Sequence, residues 1–242
     1  MNPQFYRSRP KPADVPTGRD YWIKADPDGV VRDMTTEEEA EQKRDDAQVE
    51  VAEIPSPEDA WGAADMRWVD VGCGVGHLLG GRLSWVGVEP DPWSATMAKR
   101  RTGCRVVAGT ADIQDAWASG VLCYHVIEHV EEPVPFAQEL HRILRPERRL
   151  VISTPDFGSP VALRWGPRFR LALDPTHISL FDTAGLRGLL EYVGFRIERV
   201  WYPFPSRFHT PENTRRLLED DPETTISPPA PGNIVSMVAI KA

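Results

Sequence analysis

The sequence contains little cysteine and no long apolar run. Its cysteines, Cys73, Cys104 and Cys123, are odd in number and lack CxxC spacing, so they predict reduced thiols instead of a disulfide framework or a zinc site. No apolar stretch approaches the roughly 20 residues that a membrane helix needs, which excludes a membrane partner from our expectations. The opening MNPQFYRSRPKPADVPTG lacks the apolar segment of a secretory signal. We therefore expect a cytoplasmic protein.

Positive charge is also in short supply. The chain has 28 Lys and Arg residues against 36 Asp and Glu residues, for a net charge of −8. Because nucleic-acid phosphates favour basic surfaces, this balance predicts no nucleic-acid partner. The basic clusters RPERR and RWGPRFR are typical either of a solvated surface or of a local anion-binding patch. The oligomeric state stays open, with a homodimer among the alternatives.

Residues 1–60 differ in pattern from the rest of the chain. The first 18 residues are rich in Pro, Arg and Lys and are expected to lack fixed structure. YWIKADPDGVVRDM predicts a hairpin, and TTEEEAEQKRDDAQVEVAEI predicts an acidic helix that Thr35 or Thr36 caps and Pro55 and Pro57 end. We interpret residues 1–60 as an extension that serves as a lid, with a dimer contact or a solvated appendage as alternatives.

From Met66 onwards, strand and helix patterns alternate. The predicted strands are MRWVDVG, WVGVEP, RVVAG, GVLCYHVI, RLVIST, FRIERVWY and NIVSMVAIKA. The predicted helices are HLLGGRL, PWSATMAKRRTG, PVPFAQELHRIL and TAGLRGLLEYVG. Such alternation predicts a doubly wound α/β fold with a mainly parallel sheet. Residues 61–242 would form this domain, and residues 154–182, rich in Pro, Gly and aromatics, would form a segment that caps the substrate site.

The stretch VDVGCGVG after the first of these strands is a candidate nucleotide-binding turn. Gly72, Gly74 and Gly76 have the spacing G-x-G-x-G, whereas a dinucleotide fingerprint is G-x-G-x-x-G. Asp70 precedes the first glycine, and a carboxylate there would repel a pyrophosphate but attract an ammonium group. Glu89 ends the next strand, where an acid can accept hydrogen bonds from ribose hydroxyls. The motif therefore favours a positively charged nucleoside cofactor.

Six motifs in order resemble those of the class I S-adenosylmethionine-dependent methyltransferases, and small enzymes that O-methylate ubiquinone precursors are similar. The motifs are VDVGCGVG, GVEPD, AGTADI, YHVIEHVEEP, ELHRILRP and DPTHISLFD with LLEYVGF. The resemblance covers Trp68 to Ala242 and implies a Rossmann-like seven-stranded sheet, mainly parallel with its last strand antiparallel. Gly120 and RPERR depart from the family pattern, in which an acid and a Pro-Gly-Gly turn stand at these places.

The resemblance also implies S-adenosyl-L-methionine as cofactor and S-adenosyl-L-homocysteine as product. The glycines of the motif, Gly72 and Gly74 above all, would pass the methionine part, and Asp70 would hold its ammonium group. Further cofactor-binding residues would be Glu89 at the ribose, Pro90 on an adenine face, Asp112 and the Ile113 backbone at the adenine edge, and Tyr124 beside the methionine tail.

The motif YHVIEHV and the segment DPTHISLFD supply the candidate catalytic residues, His129 and His177. His125 and His129 flank Glu128 at helical spacing, and Asp174 precedes His177. An imidazole suits general-base work near neutral pH, so we expect one of the two histidines to accept a hydroxyl proton. Packing within the core and ligation of a divalent metal are the alternatives; we assign no metal-binding residues.

The sequence thus predicts a methyltransferase that acts on a small-molecule hydroxyl, in a natural-product, quinone-like or sugar acceptor. A nicotinamide-dependent oxidoreductase and a catalytically inactive cofactor-binding partner protein are the alternatives. Aromatic and basic side chains are expected around the acceptor, although the aromatics could equally be ordinary core. They are Tyr21, Trp22, Trp165, Phe169 and Phe181, with Arg164, Arg168 and Arg170.

Overall fold

The computed structural model describes residues 4–25, 29, 31–50, 67–79, 85–219 and 221–242. Its strands are β1 (Arg7–Ser8), β2 (Ile23–Ala25), β3 (Val31–Asp33), β4 (Trp68–Val71), β5 (Trp85–Val88), β6 (Arg105–Val107), β7 (Ala118–Tyr124), β8 (Leu144–Pro155), β9 (Ser179–Leu180), β10 (Phe195–Trp201) and β11 (Ile234–Lys241). Its helices are α1 (Glu37–Glu50), α2 (Pro92–Thr102), α3 (Pro133–Ile143), α4 (Pro160–Trp165), α5 (Thr183–Tyr192) and α6 (Pro211–Leu218).

Seven strands form the central sheet, in the order β10-β11-β8-β7-β4-β5-β6. The neighbours from β8 to β6 pair in parallel, whereas β11 is antiparallel to both β8 and β10. This arrangement confirms the predicted doubly wound sheet with an antiparallel last strand. Because β11 runs backwards, it begins at the edge where the parallel strands end, and that edge is where open α/β sheets bind ligands.

Helices cover both faces of this sheet. Val69 and Val71 pack in a core cluster with residues of α3 and α5, whereas Trp68 packs with residues of α1 and α2. Alternate residues of one strand point to opposite faces, so the two clusters lie on opposite sides. All four residues of β4 are buried, as expected for a parallel strand covered on both faces.

The predicted helix PWSATMAKRRTG begins and ends where its sequence indicates. The Asp91 carboxylate caps the N-terminus of α2 by accepting a hydrogen bond from the Ser94 backbone N–H at 2.8 Å. Gly103 ends the helix with φ at +70°, a left-handed conformation that only glycine adopts without strain.

The segment RPERR forms an irregular start to β8. Ala118 of β7 pairs with Leu144, but Gly120 pairs with Arg149, so β8 bulges between these positions. Glu147 lies in this bulge with φ at +57°, a left-handed conformation that favours glycine. The departure from the expected Pro-Gly-Gly turn therefore changes a loop and leaves the pairing of β7 with β8 intact.

The predicted helix HLLGGRL is not present where the structure describes it. His77 and Leu78 form a bend and Leu79 has no regular structure, and the rest of that stretch lies outside the described residues. The glycine turn itself bends the chain back towards α2 because Gly76 contacts Ala98. The glycine turn is therefore followed by irregular backbone, and not by a helix, from His77 to Leu79. Pro55 and Pro57, expected to end the acidic helix, also lie outside the described residues.

The N-terminal segment is ordered, contrary to our expectation for its first 18 residues. From Phe5 onwards it lies on the domain: β1 pairs antiparallel with β9, and the rings of Phe5 and Tyr192 lie 5.4 Å apart. Backbone pairing and aromatic burial offset the conformational entropy that this segment loses when it becomes ordered. Its polar composition alone could not offset that loss. The expectation was wrong because composition does not reveal an available strand edge.

The predicted hairpin and acidic helix are both present. β2 and β3 pair antiparallel, and Thr36, not Thr35, caps α1, since its Oγ1 accepts a hydrogen bond from the Glu39 backbone N–H at 3.3 Å. The division of the chain into an extension over residues 1–60 and a domain over residues 61–242 stays a prediction. Among the described residues, no helix is long and apolar enough to cross a membrane.

The aromatic residues of segment 154–182 lie in the core and not over the site. Phe181 is fully buried in the main core cluster, and Trp165 and Phe169 form a satellite cluster with Leu180. The expectation that these aromatics cap the site is therefore corrected in favour of ordinary core packing. The physical reason is that the rings of Trp165 and Phe169 pack with Phe157, Ala162 and Leu180 beneath α4 and its following turns.

Candidate active site

A cavity of about 610 Å³ opens at the edge where the parallel strands end. Segments after β4, β5 and β7 line one side, and the N-terminal segment, segment 154–182 and the segments flanking α6 close the other. The sequence-predicted site residues in its lining are Asp70, Gly72, Gly74, Glu89, Pro90, Tyr124, His129 and His177. The structure therefore brings most of the predicted cofactor and catalytic residues to one place.

The three motif glycines each allow a close approach of other parts of the protein. Gly72 and Gly74 have φ at +75° and +54°, and a Cβ on Gly72 would lie 2.3 Å from a Val126 methyl group. A Cβ on Gly74 would lie 2.4 Å from Cη2 of Trp22, in the N-terminal segment. Gly76 packs against α2 and does not line the cavity, and its predicted contact with the cofactor stays a prediction.

Asp70 is a buried acid without a hydrogen-bond donor among the described residues. Its side chain is 2% exposed, and among the described residues none donates a hydrogen bond to its carboxylate. Burial, together with the nearby charge of Glu89, raises the pKa of Asp70 to about 7. A ligand ammonium group at this place would supply the missing charge and donors.

Glu89 is held in position by backbone donors. Its Oε2 accepts a hydrogen bond from the Gly74 N–H at 2.9 Å, and its Oε1 accepts one from the Asp91 N–H at 2.8 Å. Burial raises the pKa of Glu89. Because each carboxylate oxygen has two lone pairs, both oxygens can accept a further hydrogen bond from a ligand hydroxyl. Asp70 and Glu89 together fit the ammonium group and the ribose hydroxyls of S-adenosylmethionine.

Two predicted adenine contacts lie elsewhere. Asp112 and Ile113 line a separate cavity of about 170 Å³, together with Trp117. Asp112 is exposed at the end of a 3-10 helix, Thr110–Asp112. The structure therefore does not bring these residues together with Glu89 and Pro90.

His129 and His177 meet in the lining of the cavity. Their ring centroids lie 4.9 Å apart. Nδ1 of His129 lies 3.0 Å from the Thr176 carbonyl oxygen, and Nδ1 of His177 lies 2.6 Å from that of Leu171. Since a carbonyl oxygen only accepts, both Nδ1 atoms carry protons, and the lone pair of each neutral ring is on Nε2.

Carboxylates surround this histidine pair. Glu128 is fully buried and accepts hydrogen bonds from His125 Nδ1 at 3.1 Å and Thr154 Oγ1 at 2.9 Å. Burial alone would raise the pKa of Glu128, but the His125 hydrogen bond and the histidine charges outweigh it and lower that pKa. Asp174 Oδ2 lies 3.9 Å from His177 Nε2. Burial lowers the pKa of His177, which keeps the ring neutral, with its Nε2 lone pair available to accept a proton.

The same region contains a candidate metal-binding group. One potential ligand atom from each of Glu128, His129 and His177 lies within 4.8 Å of the others. Two imidazoles and a carboxylate suit a transition metal. The oxygens of Glu128, however, already accept hydrogen bonds from His125 and Thr154, so metal binding would compete with those contacts.

The N-terminal segment reaches into the cavity. Tyr21, Trp22 and Lys24 all line it. The Trp22 indole N–H donates a hydrogen bond to Ser94 Oγ at 2.9 Å, and Lys24 Nζ lies 3.6 Å from Asp174 Oδ2. Burial raises the pKa of Tyr21. The segment therefore contacts both the α2 side and the histidine side of the site.

The predicted arginines differ in their positions. Arg170 lines the cavity, whereas Arg164 donates a hydrogen bond to the Leu217 carbonyl at 2.6 Å and Arg168 is exposed. Neither Arg164 nor Arg168 lines the cavity. Their expected role beside an anionic acceptor is therefore corrected, because α4 and its following turn direct them away from the site.

Sequence reasoning missed several residues of the lining. His77 is buried, and burial together with the Arg101 and Lys43 charges lowers its pKa to about 4. An apolar wall follows β10 and precedes β11; its members are Pro203, Phe204, Pro205, Phe208, Pro229 and Ala230. The signal was present in YPFPSRF and SPPAPGN, since proline and phenylalanine after a strand at the ligand edge indicate more than a polar loop.

Comparison with known proteins agrees with this geometry. A family model described as a methyltransferase domain matches residues 40–200. A probable S-adenosylmethionine-dependent methyltransferase of Mycolicibacterium smegmatis is 33% identical over 86 residues, which cover 36% of this chain. The match spans about a third, 32%, of the length of that curated relative.

Solved structures show the same fold. A SAM-dependent methyltransferase of Thermotoga maritima is 21% identical, with a TM-score of 0.58 and coverage of 82% of this chain and 89% of that one. A Haloferax volcanii protein solved in complex with the Trm112 methyltransferase activator is 15% identical, with a TM-score of 0.61 and coverage of 86% and 96%. The family match over most of the sheet decides against the nicotinamide alternative: the chain belongs to the class I S-adenosylmethionine-dependent methyltransferase family.

Proposed function

We propose that this protein transfers the methyl group of S-adenosylmethionine to a hydroxyl group of a small molecule, bound in the cavity of about 610 Å³. The observation that carries the proposal is the histidine pair. His129 and His177 lie together in the cavity lining, each with its Nδ1 proton committed to a backbone carbonyl. Their Nε2 lone pairs supply the base that a hydroxyl nucleophile requires.

The cofactor would be held by residues on the glycine side. Asp70 would pair with its ammonium group, Glu89 would accept hydrogen bonds from its ribose, and Pro90 and Tyr124 would contact its apolar surfaces. When bound, the cofactor supplies an activated methyl group for direct displacement by the acceptor oxygen. The protein's own contribution is to align the acceptor and to exclude water.

The histidine side would manage the acceptor proton. One imidazole Nε2 accepts the hydroxyl proton as the oxygen becomes nucleophilic. The resulting imidazolium of His177 would be stabilised by Asp174, 3.9 Å from Nε2, and the ionised Glu128 would stabilise positive charge on the pair. A neutral resting imidazole is available because burial lowers the pKa of His177.

The N-terminal segment would act as the lid over this reaction. Trp22 contacts Gly74 on the cofactor side, and Lys24 approaches Asp174 on the acceptor side. One segment thus contacts both halves of the site, which supports a role in water exclusion and acceptor binding. A dimer contact would instead leave these side chains free of the cavity lining.

An acceptor screen with S-adenosylmethionine labelled in its methyl group tests the proposal. We expect label to move to one class of hydroxyl compound, and turnover to persist in the presence of a strong chelator. Activity that chelator abolishes and Mg²⁺ or Zn²⁺ restores would assign Glu128, His129 and His177 to a metal site instead. Retained cofactor without transfer to any acceptor would indicate an inactive cofactor-binding protein.

A further inference from the structure

Asn233 stands at the start of the antiparallel strand, on the ligand edge of the sheet. It directly precedes β11, whose first residue, Ile234, is paired with Pro155 at the end of β8. Its backbone is fixed on both sides: the N–H donates to the Ala230 carbonyl at 3.2 Å, and the C=O accepts from the Asp156 N–H at 2.9 Å. The side chain lines the cavity.

The Asn233 side chain is buried without its hydrogen bonds being met. It is 6% exposed, and among the described residues Oδ1 has no hydrogen-bond partner. Nδ2 donates to the Pro228 carbonyl at 3.5 Å, the outer limit of a hydrogen bond. Exchanging the amide oxygen and nitrogen would place two acceptors against each other, so this contact fixes which atom is the oxygen.

An unmet buried acceptor is costly, because its hydrogen bond to water is lost on folding and is not replaced. A purely structural position before β11 would favour an apolar side chain, because proline and alanine surround it in the lining. The terminal amide torsion is broad, and the long contact to Pro228 resists rotation little. A turn of the amide would bring Oδ1 to a donor in the cavity.

The wall beside Asn233 suits a flat apolar ligand body. Pro203, Phe204 and Pro205 follow β10, and Phe204 stacks on Phe208 with centroids 6.1 Å apart and planes at 23°. In the sheet order, β8 and β7 stand between the strands that border this wall, β10 and β11, and the strands that carry the glycine turn and the two acids for the cofactor, β4 and β5. The wall therefore belongs to the half of the cavity that remains for the acceptor.

We infer that Asn233 is a specificity-determining residue for the acceptor. Its Oδ1 accepts a hydrogen bond from an N–H or O–H group on an apolar ring that lies against the apolar wall. The inference rests on the proposed function for placing the acceptor in this cavity. It narrows the acceptor class to ring compounds with a donor in addition to the methylated hydroxyl, and disfavours sugars, which lack an apolar face of this extent.

Binding of matched probe pairs to the full chain, saturated with S-adenosylhomocysteine, tests this inference by ligand-detected NMR. The pairs differ in one donor: phenol and anisole, indole and 1-methylindole, aniline and N,N-dimethylaniline. We expect the donor member to bind at least fivefold more tightly. Asn233→Leu should abolish the preference, and Asn233→Asp, which keeps an acceptor oxygen, should retain it.

Thermal unfolding of the same variants separates this role from a structural one. Because Oδ1 is unsatisfied in the cofactor-free protein, Asn233→Leu should unfold at the same temperature as the parent or higher. A large loss of stability in Asn233→Leu would assign the amide to the fold and overturn the inference. So would an absence of binding by all pairs, equal affinities within pairs, or an undiminished preference in Asn233→Leu. None of these readouts requires methyl transfer, so the two proposals fail separately.

Discussion

The imidazole rings of His129 and His177 lie 4.9 Å apart, centroid to centroid, although one follows β7 and the other arrives from segment 154–182. The chain fixes both rings in the same way, by a hydrogen bond from Nδ1 to a backbone carbonyl. Two separate segments therefore place a histidine ring at one cavity, and in each neutral ring the lone pair is on Nε2. That convergence is the basis of the proposed base catalysis.

Substitution of the histidine pair tests their roles in proton transfer. Loss of a positioned base typically costs about 10²–10⁴-fold in rate, so we expect His177→Gln or His129→Gln to lower kcat by at least 10²-fold, with cofactor affinity unchanged. His141→Gln, on α3 and outside the cavity lining, is the matched control and should retain activity. Steady-state kinetics at several pH values measure the effect, and full activity in both variants would return these histidines to a structural role.

The buried Asp70 makes cofactor affinity depend on pH. Its pKa is raised to about 7, and an ammonium group binds the ionised form, so affinity for S-adenosylhomocysteine should fall as pH drops below 7. In Asp70→Asn, affinity should be weaker at pH 8 and flat between pH 5.5 and 7. Calorimetry measures both, with 5′-methylthioadenosine, which has the ribose but no ammonium group, as the pH-independent control.

The same pKa predicts a stability change of defined sign. A raised pKa means that the folded protein binds the proton more tightly than the unfolded chain, so the cofactor-free fold loses stability as the pH rises from about 4, the ordinary pKa of an Asp, to about 7, and the loss is complete above pH 7. Asp70→Asn should therefore raise the melting temperature more at pH 8 than at pH 5. Equal shifts at the two pH values would contradict the assignment of a buried, unpaired carboxylate.

Glu89 and Asp112 should differ in their effects on cofactor binding. Glu89 lines the main cavity and is held by two backbone donors, whereas Asp112 lines the smaller one. Removing hydrogen bonds to a charged group costs about 2 kcal/mol, so Glu89→Ala should weaken S-adenosylhomocysteine binding by that amount or more, and Asp112→Ala should change it little. Equal losses in calorimetry would support the sequence-based role of Asp112 at the adenine edge.

A double substitution tests whether the N-terminal segment rests on the glycine turn in solution. A Cβ on Gly74 would lie 2.4 Å from Trp22, so Gly74→Ala should cost less unfolding free energy when Trp22 is already alanine. The strain of alanine at a left-handed φ, about 1–2 kcal/mol, is common to both backgrounds and cancels in the cycle. A cost that is identical with and without Trp22 would contradict a docked lid.

Most of the sheet could be predicted from the sequence because each strand is a short apolar run bounded by its own turn residues. The glycine turn, Asp70 and Glu89 were also predictable, since they adjoin strands whose ends share one edge. The apolar wall could not be predicted, because its contribution to the cavity lining depends on β11 running antiparallel beside β10. Likewise, Phe169 and Phe181 could be read as cap or core until their buried positions were known.

The ordering of the N-terminal segment shows a second limit. Residues 4–18 are polar and proline-rich, and their structure depends on partners distant in sequence: β9 for Arg7–Ser8 and Tyr192 for Phe5. No local pattern contains that information. The contact of Trp22 with Gly74 is of the same kind. It explains why the sequence could suggest that the N-terminal segment is a lid but could not show where that segment lies.

The position of the transferred methyl group tests the central claim most directly. Full-length protein would be incubated with S-adenosylmethionine carrying a ¹³C methyl group and the acceptor found by screening, and the product's carbon resonance would be read by NMR. If the protein methylates a hydroxyl group, the labelled methyl group will be bonded to oxygen, and His177→Gln will suppress formation of this product. A labelled methyl bonded to nitrogen or carbon, or no labelled product with any acceptor, would contradict it.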